Sequence, residues 1–278
     1  MSYLLRNGDR GQEVKRLQFH LQIPSDGIFG SQTEGAVKEY QREKDLGADG
    51  IAGPLTLGAL NIPVLSGVDL SSHNGTVDFK ALAASGCVFA WVKVSEGTTH
   101  INPNYEEKFQ GCRDHGIIVG GYHVARPDTY IDNPTDAQDE VDNFLTALNV
   151  VGIKCGDLLP ALDLESGVKT DDQYNIDWTL NWLNMVRCTA RVNPVIYSAK
   201  WYYDSYMKNA TDSSLEELST YPLWLASYND GVDPARPIPS WNTWSMWQWT
   251  GSGSVPGVEG RCDQNWMAGG HLFSLQVP

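Results

Sequence analysis

Leu158-Leu159-Pro160-Ala161-Leu162-Asp163-Leu164-Glu165 is an apolar run that ends in two carboxylates. Its composition predicts a buried strand over 158–165. Side chains two apart on a strand share a face, so Asp163 and Glu165 project together, their Cα atoms about 6.6 Å apart at ~3.3 Å per residue. Burying unpaired carboxyls is costly, so their place at the end of a buried strand asks for a reason. Two such neighbours resist ionising together, and one pKa is expected to rise. A protonated acid beside a carboxylate is the pairing that glycosidic bond cleavage uses, the longer Glu being the natural proton donor.

Outward from this run, short apolar strands alternate with helical stretches from Gly67 onward, the pattern of a parallel βα architecture. Strands are predicted at 67–71, 88–95, 117–124, 158–165, 194–199, 222–227, 244–249 and 260–264, and amphipathic helices near 77–85, 104–115, 134–149 and 172–191. Eight strands in about 210 residues imply an irregular (β/α) TIM-like barrel with some short connections, since a regular one takes roughly 250. Near the strand ends stand Asp69, Ser71, Lys93, Ser95, Glu96, Tyr122, His123, Asp163, Glu165, Tyr197, Trp224, Tyr228, Gln248 and Asp263. They would gather on one rim, where barrels keep their chemistry. Asp69 and Asp263, on the first and eighth strands, are expected side by side where the barrel closes. Lys93, at an inward strand position, needs carboxylate partners. His123 suits a site role and a satisfied core histidine about equally. Trp241, Trp244, Trp247 and Trp249 are expected to serve mostly as packing.

Before the barrel, Asp26-Gly27-Ile28-Phe29-Gly30-x-x-Thr33-x-x-Ala36-Val37 returns as Asp49-Gly50-Ile51-Ala52-Gly53-x-x-Thr56-x-x-Ala59-Leu60. Each copy predicts a turn at Asp-Gly, where glycine tolerates positive φ, then a helix. Ser31 and Glu34 are spaced as a capping box, and Pro54 suits a first helical position. Val14, Leu17 and Leu21 form an apolar stripe on an earlier helix. A small three-helix N-terminal domain over 1–62, a linker at 63–66 and a barrel over 67–278 follow.

The 278 residues are 41 % hydrophobic and 19 % charged, with ten Trp and twelve Tyr, the composition of a folded chain with flat apolar faces. The net charge of −14 argues against a nucleic-acid partner, because phosphate contacts need a Lys/Arg surface. Nearly all the excess acid lies beyond residue 65. Five widely spaced cysteines, with no C-x-x-C, indicate buried free thiols. The six histidines have no zinc-ligand spacing, so no metal and no cofactor is expected. No stretch approaches the ~18 apolar residues of a membrane span, and Met1 to Arg6 lacks a signal-peptide core.

Residues 3–61, through Gly8-x-x-Gly11, Leu17-Gln18 and the two Asp-Gly-Ile-x-Gly-x-x-Thr units, resemble the peptidoglycan-binding module of wall hydrolases. Residues 66–270 resemble glycoside hydrolase family 25, the muramidases of Chalaropsis type. The resemblance rests on the order of Gly67-Val68-Asp69-Leu70-Ser71, Trp91-Val92-Lys93-Val94-Ser95-Glu96-Gly97, Gly121-Tyr122-His123-Val124-Ala125-Arg126-Pro127, Ala161-Leu162-Asp163-Leu164-Glu165, Leu223-Trp224-Leu225-Ala226, Trp247-Gln248-Trp249 and Asp263-Gln264-Asn265. Val124 stands where that family commonly has Phe, and Trp249 where it has Tyr. The resemblance implies hydrolysis of the β-1,4 bond between N-acetylmuramic acid and N-acetylglucosamine in bacterial peptidoglycan. It makes Glu165 the general acid, with Asp163 assisting the acetamido group or the oxocarbenium-like state, and Asp69 and Asp263 positioning and polarising. Lys93, Tyr122, His123, Tyr197, Trp224 and Gln248 would shape the sugar subsites. The rival expectation is a non-catalytic wall-binding or structural phage protein. Without a signal peptide, a wall hydrolase is expected to be made in a host cytoplasm and to act after release, as a phage endolysin does.

Overall fold

Two glutamines organise the first sixty residues. The computed structural model describes residues 5–60, 62, 64–127, 134–169, 171–228, 238–241, 244–268 and 272–278. Helix α1 (Gln12–His20) buries Val14 and Leu17 against α2 (Ser31–Glu43) and α3 (Pro54–Ala59). Gln18 Nε2 donates to Asp26, Thr33 and the Ile28 carbonyl, and Gln18 Oε1 accepts the Gly27 N–H at 2.9 Å. Gln41 repeats every one of these bonds on Asp49, Thr56, Ile51 and Gly50. Gly27 and Gly50 take φ of 78° and 81°, the left-handed backbone that the Asp-Gly turns require. Pro54 opens α3 as expected, but the capping box is absent. Gly30 occupies the N-cap of α2, so Ser31 sits one position inside the helix, and Glu34 binds Asn7 and Lys38 instead.

The barrel follows in the order β1 (Val64–Leu70), α4 (Phe79–Ala84), β2 (Cys87–Glu96), β3 (His100–Ile101), α5 (Tyr105–Asp114), β4 (Ile118–Val124), α6 (Asp136–Val151), β5 (Ala161–Asp163), α7 (Asp172–Ala190), β6 (Val195–Ala199), α8 (Lys200–Tyr206), α9 (Asp212–Leu218), β7 (Leu223–Ala226), β8 (Met246–Gly253) and β9 (Cys262–Ala268). Eight of the strands close on themselves as β1-β2-β4-β5-β6-β7-β8-β9, with β3 a short antiparallel extension of β2. The other strands from β1 to β8 pair in parallel around the barrel, as expected, but β9 is antiparallel to both β8 and β1. The connection from β8 to β9 is too short for a crossover, and strands joined so closely must run in opposite directions. The helices α8 and α9 between β6 and β7 are not legible as amphipathic stretches. The expected linker is also shorter, since β1 already includes Val64 to Ser66.

Alternation divides the side chains. Phe89, Trp91, Tyr122, Tyr197, Trp224 and Met246 fill the barrel, while Val92, Val94, Phe144, Trp182 and Leu183 pack between barrel and helices. Gly67 makes room for the Phe89 ring, because a Cβ there would lie 2.2 Å from Phe89 Cε2. Trp241, Trp244 and Trp247 are buried in the outer layer, and Trp249 stacks on Trp266 at 5.0 Å. Helix α3 lies against β1 and β9, and Ile51 and Leu55 pack on the outer apolar layer. The N-terminal helices are thus docked on the barrel seam. Cys87, Cys112 and Cys262 are buried as expected, whereas Cys155 and Cys188 are exposed. Among the described residues no helix is long and apolar enough to cross a membrane, and no group of His, Cys, Asp and Glu is arranged to hold a metal ion.

Candidate active site

A cleft of about 230 Å³ opens at the carboxyl ends of the parallel strands. Five carboxylates line it; Glu96 is paired with Lys93 and Arg126, and the other four arrive by strand geometry. Asp69 is the penultimate residue of β1, and Asp163 ends β5. Glu165 lies past the end of β5, which is shorter than the expected 158–165 strand, yet it still turns into the cleft beside Asp163. Asp263 comes from the beginning of its strand, not the end. Because β9 runs against its neighbours, its first residues reach the rim, where Asp263 is the register partner of Asp69.

A chain of amides and hydroxyls ties these acids together. Gln248 Nε2 and Asn265 Nδ2 both donate to Asp69 Oδ2 at 2.9 Å. Gln248 Oε1 accepts from Tyr197 at 2.9 Å and from Tyr228 at 2.6 Å. The Tyr197 hydroxyl also stands 3.3 Å from Glu165 Oε1. The one phenolic proton is shared between Gln248 and Glu165, and its share toward Glu165 favours the ionised carboxyl. Asn265 Oδ1 takes the Trp224 indole N–H at 2.7 Å, and Trp224 stacks on Trp91 at 4.5 Å to make the cleft floor. Asp163 Oδ1 is buried without a hydrogen-bond partner.

Burial sets the proton affinities here. It pushes Asp163 well above the usual carboxylate range, with the charges of Glu165 and Asp69 adding to the effect and those of Lys93 and Arg126 opposing it. Asp69 is raised well above that range by burial and by Asp263, against the two amide donors. Glu165 is raised by burial, against the hydrogen bond to Tyr197 and the charges of Arg126 and Lys93, with Asp263 adding to the rise. Asp263 is raised by burial, offset by its hydrogen bond with Asp69. With all four raised, the cluster favours keeping a proton, as a proton-donating site requires.

Of the ten residues given a catalytic or substrate-binding role from the sequence, nine line this cleft: Asp69, Lys93, Tyr122, Asp163, Glu165, Tyr197, Trp224, Gln248 and Asp263. His123 does not, and its substrate-binding assignment is corrected. With Tyr122 directed inward, the two-residue period of β4 turns His123 outward, where it is fully buried between Ser95 and Glu140 and stacked on Trp182. Lys93 finds its carboxylate in Glu96, which also accepts from Arg126. Glu96 reaches the rim as expected and Tyr228 joins it through Gln248, whereas Ser95 turns away to His123; Arg126 and Asn265 are the residues that sequence reasoning missed. Asn265 carried a usable signal, standing two residues from Asp263 on the same strand face.

Comparison with known proteins follows the same division of the chain. The family described as glycosyl hydrolases family 25 matches residues 68–258, and the putative peptidoglycan binding domain matches residues 10–60. Lysozyme M1 of Streptomyces globisporus is 29 % identical over 224 residues, covering 77 % of this chain and 72 % of that protein. The N,O-diacetylmuramidase of Arthroderma benhamiae is 29 % identical over 192 residues, covering 66 % of this chain and 76 % of its own. Among solved structures, the Clostridium perfringens spore cortex lytic enzyme SleM superimposes with a TM-score of 0.66 at 27 % identity, over 81 % of this chain and 71 % of that one.

Proposed function

The chain belongs to the glycosyl hydrolases of family 25, and from that premise we propose that it is a muramidase whose Glu165 and Asp163 cleave the β-1,4 bond between N-acetylmuramic acid and N-acetylglucosamine in peptidoglycan. One observation carries this reading. Asp163 presents a buried, unpartnered oxygen beside Glu165, within a group of four carboxyls whose proton affinities are all raised. A buried oxygen left without a donor costs stability, and it finds one when a substrate N–H arrives.

In the reaction, protonated Glu165 gives its proton to the bridging oxygen as the bond to the anomeric carbon breaks. Asp163 accepts the acetamido N–H or faces the oxocarbenium-like centre, and its charge is worth most in the cleft's low-dielectric depth. Water adds to the anomeric carbon, and the proton it sheds restores Glu165 over the full cycle. Asp69 and Asp263, hydrogen-bonded across the seam, position and polarise the reacting groups. Tyr122, Tyr197 and Trp224 form the wall and floor against which a sugar ring rests. Lys93 and Arg126 supply the opposing positive charge.

We assign residues 1–62 to peptidoglycan binding and the barrel to cleavage, as the two family matches support. The test is mass spectrometry of purified peptidoglycan digested by the wild type and by Glu165→Gln, then reduced with borohydride. Reduced muramic acid ends from the wild type alone are expected. No new ends across several walls and pH values would overturn the reading.

A further inference from the structure

Strand β2 contains an irregularity that the cleft depends on. Against β4, Lys93 is the register partner of Tyr122 and Ser95 that of His123, so Val94 is an extra residue. Lys93 and Glu96 are three apart, and on a regular strand they would face opposite sides. The bulge changes the parity, so both line the cleft while Ser95 turns toward the helices. There the Ser95 hydroxyl meets His123 Nδ1 at 2.8 Å, and His123 Nε2 meets Glu140 of α6 at 2.7 Å. Glu140 also accepts the Arg126 main-chain N–H, at 3.1 and 3.2 Å. The Arg126 guanidinium returns to Glu96 at 2.6 Å, which closes a ring of contacts around the bulge.

Ser95, His123 and Glu140 have no access to solvent. Burial raises Glu140 to about 8 and lowers His123 to about 3. Glu140 faces His123 and Arg126, with Asp136 on its own helix and Glu96 at the end of β2 also contributing. At neutral pH the acid therefore keeps its proton and donates to His123 Nε2, and His123 Nδ1–H donates to Ser95. All three groups are satisfied without a buried charge, a costly thing to assemble for packing alone. On the cleft side, the fixed cations Lys93 and Arg126 hold down the proton affinities of Asp163 and Glu165.

We propose that Ser95, His123 and Glu140 are positioning residues which, through the β2 bulge and the Arg126 main chain, hold the Lys93 and Arg126 charges where they set the pH range of cleavage by Asp163 and Glu165. The inference rests on the muramidase reading of the same cleft.

The test is the pH profile of kcat/KM on soluble wall fragments for the wild type, Glu140→Gln and Glu140→Leu. In Glu140→Gln the new amide offers an N–H to His123 and an oxygen to Arg126, as the protonated acid does, and the profile is expected to overlay that of the wild type. Glu140→Leu releases the ring, so both limbs of the profile should move to higher pH as the cations draw away. The optimum rate should fall by about tenfold to a hundredfold, as small misplacements of acting groups do. If Glu140→Leu does not fold, Ser95→Ala decides the matter with a smaller move in the same direction. An unmoved profile in folded Glu140→Leu or Ser95→Ala overturns the inference alone, as does a Glu140→Gln profile displaced as far as that of Glu140→Leu. An inactive wild type overturns the muramidase reading and this inference with it.

Discussion

Asp69 and Asp263 are register partners across the antiparallel seam between β1 and β9, and both carboxyls are raised by burial. Only one of the two bears a full charge comfortably. The seam therefore ties stability to pH. A carboxyl whose folded pKa lies above its unfolded value gives stability that is fully present below the unfolded value and lost as pH rises through the folded one.

Replacing Asp69 by Asn should remove that loss. The Asn oxygen can accept from Gln248 and Asn265, while its amide donates to Asp263 as a protonated Asp69 would. Thermal unfolding at pH 7 should find Asp69→Asn more stable by about 0.5–2 kcal/mol, the usual gain when a functional site is relieved. The gap should close as pH falls toward ~4, near the unperturbed carboxylate value, with activity reduced throughout. A gap that widens in acid would contradict the raised proton affinity of Asp69.

Glu165→Gln keeps the shape of the acid and removes its proton. Turnover should fall by about 10²–10⁴-fold, the range for loss of a general acid. Sedimentation with intact walls should still recover the variant with the wall fraction. Substantial turnover in the folded variant would mean that another group delivers the proton.

Gln248→Leu should show that Gln248 couples the two halves of the cleft. It leaves Asp69 one donor short, and the Tyr197 and Tyr228 hydroxyls without their shared acceptor. A loss of about 1–3 kcal/mol in denaturant unfolding is expected for such orphaned groups. A fall in kcat larger than the rise in KM should accompany it. Unchanged kcat would restrict Gln248 to packing.

Deletion of residues 1–62 should weaken wall binding and spare cleavage of soluble fragments. It should also lower the melting temperature, because it strips Ile51 and Leu55 from the barrel's outer layer. The cut belongs before Val64, where β1 begins. A truncated barrel that melts like the full chain would mean that the helices are not docked in solution.

The barrel and most of its cleft are legible because strand ends are local in sequence. Asp69, Asp163 and Gln248 can each be placed by the run that precedes them. What escapes depends on neighbours in space. The bulge at Val94 is one such feature: a regular strand gives Lys93 and Ser95 one face and Glu96 the other, whereas Glu96 lines the cleft with Lys93 and Ser95 turns away. His123 misleads for the complementary reason, because its ring is spent on Ser95 and Glu140, partners that sequence spacing does not indicate. The direction of β9 is set by the shortness of its connection, and it changes which end of the strand carries Asp263. The repeat behaves in the opposite way. Its two glutamine clamps are so local that the motif alone dictates the turns, although not that one copy is used up against the barrel.

That docking bears on how a wall is eaten away. An anchor on a long tether samples every bond within a sphere, and its benefit falls as the tether lengthens. Helix α3 instead sits against β1 and β9, with only a few residues between Leu60 and Val64. An anchored molecule of this kind reaches bonds at one offset and bearing from its foothold. Digestion would proceed by letting go and landing again, so a tighter foothold would slow erosion of the wall.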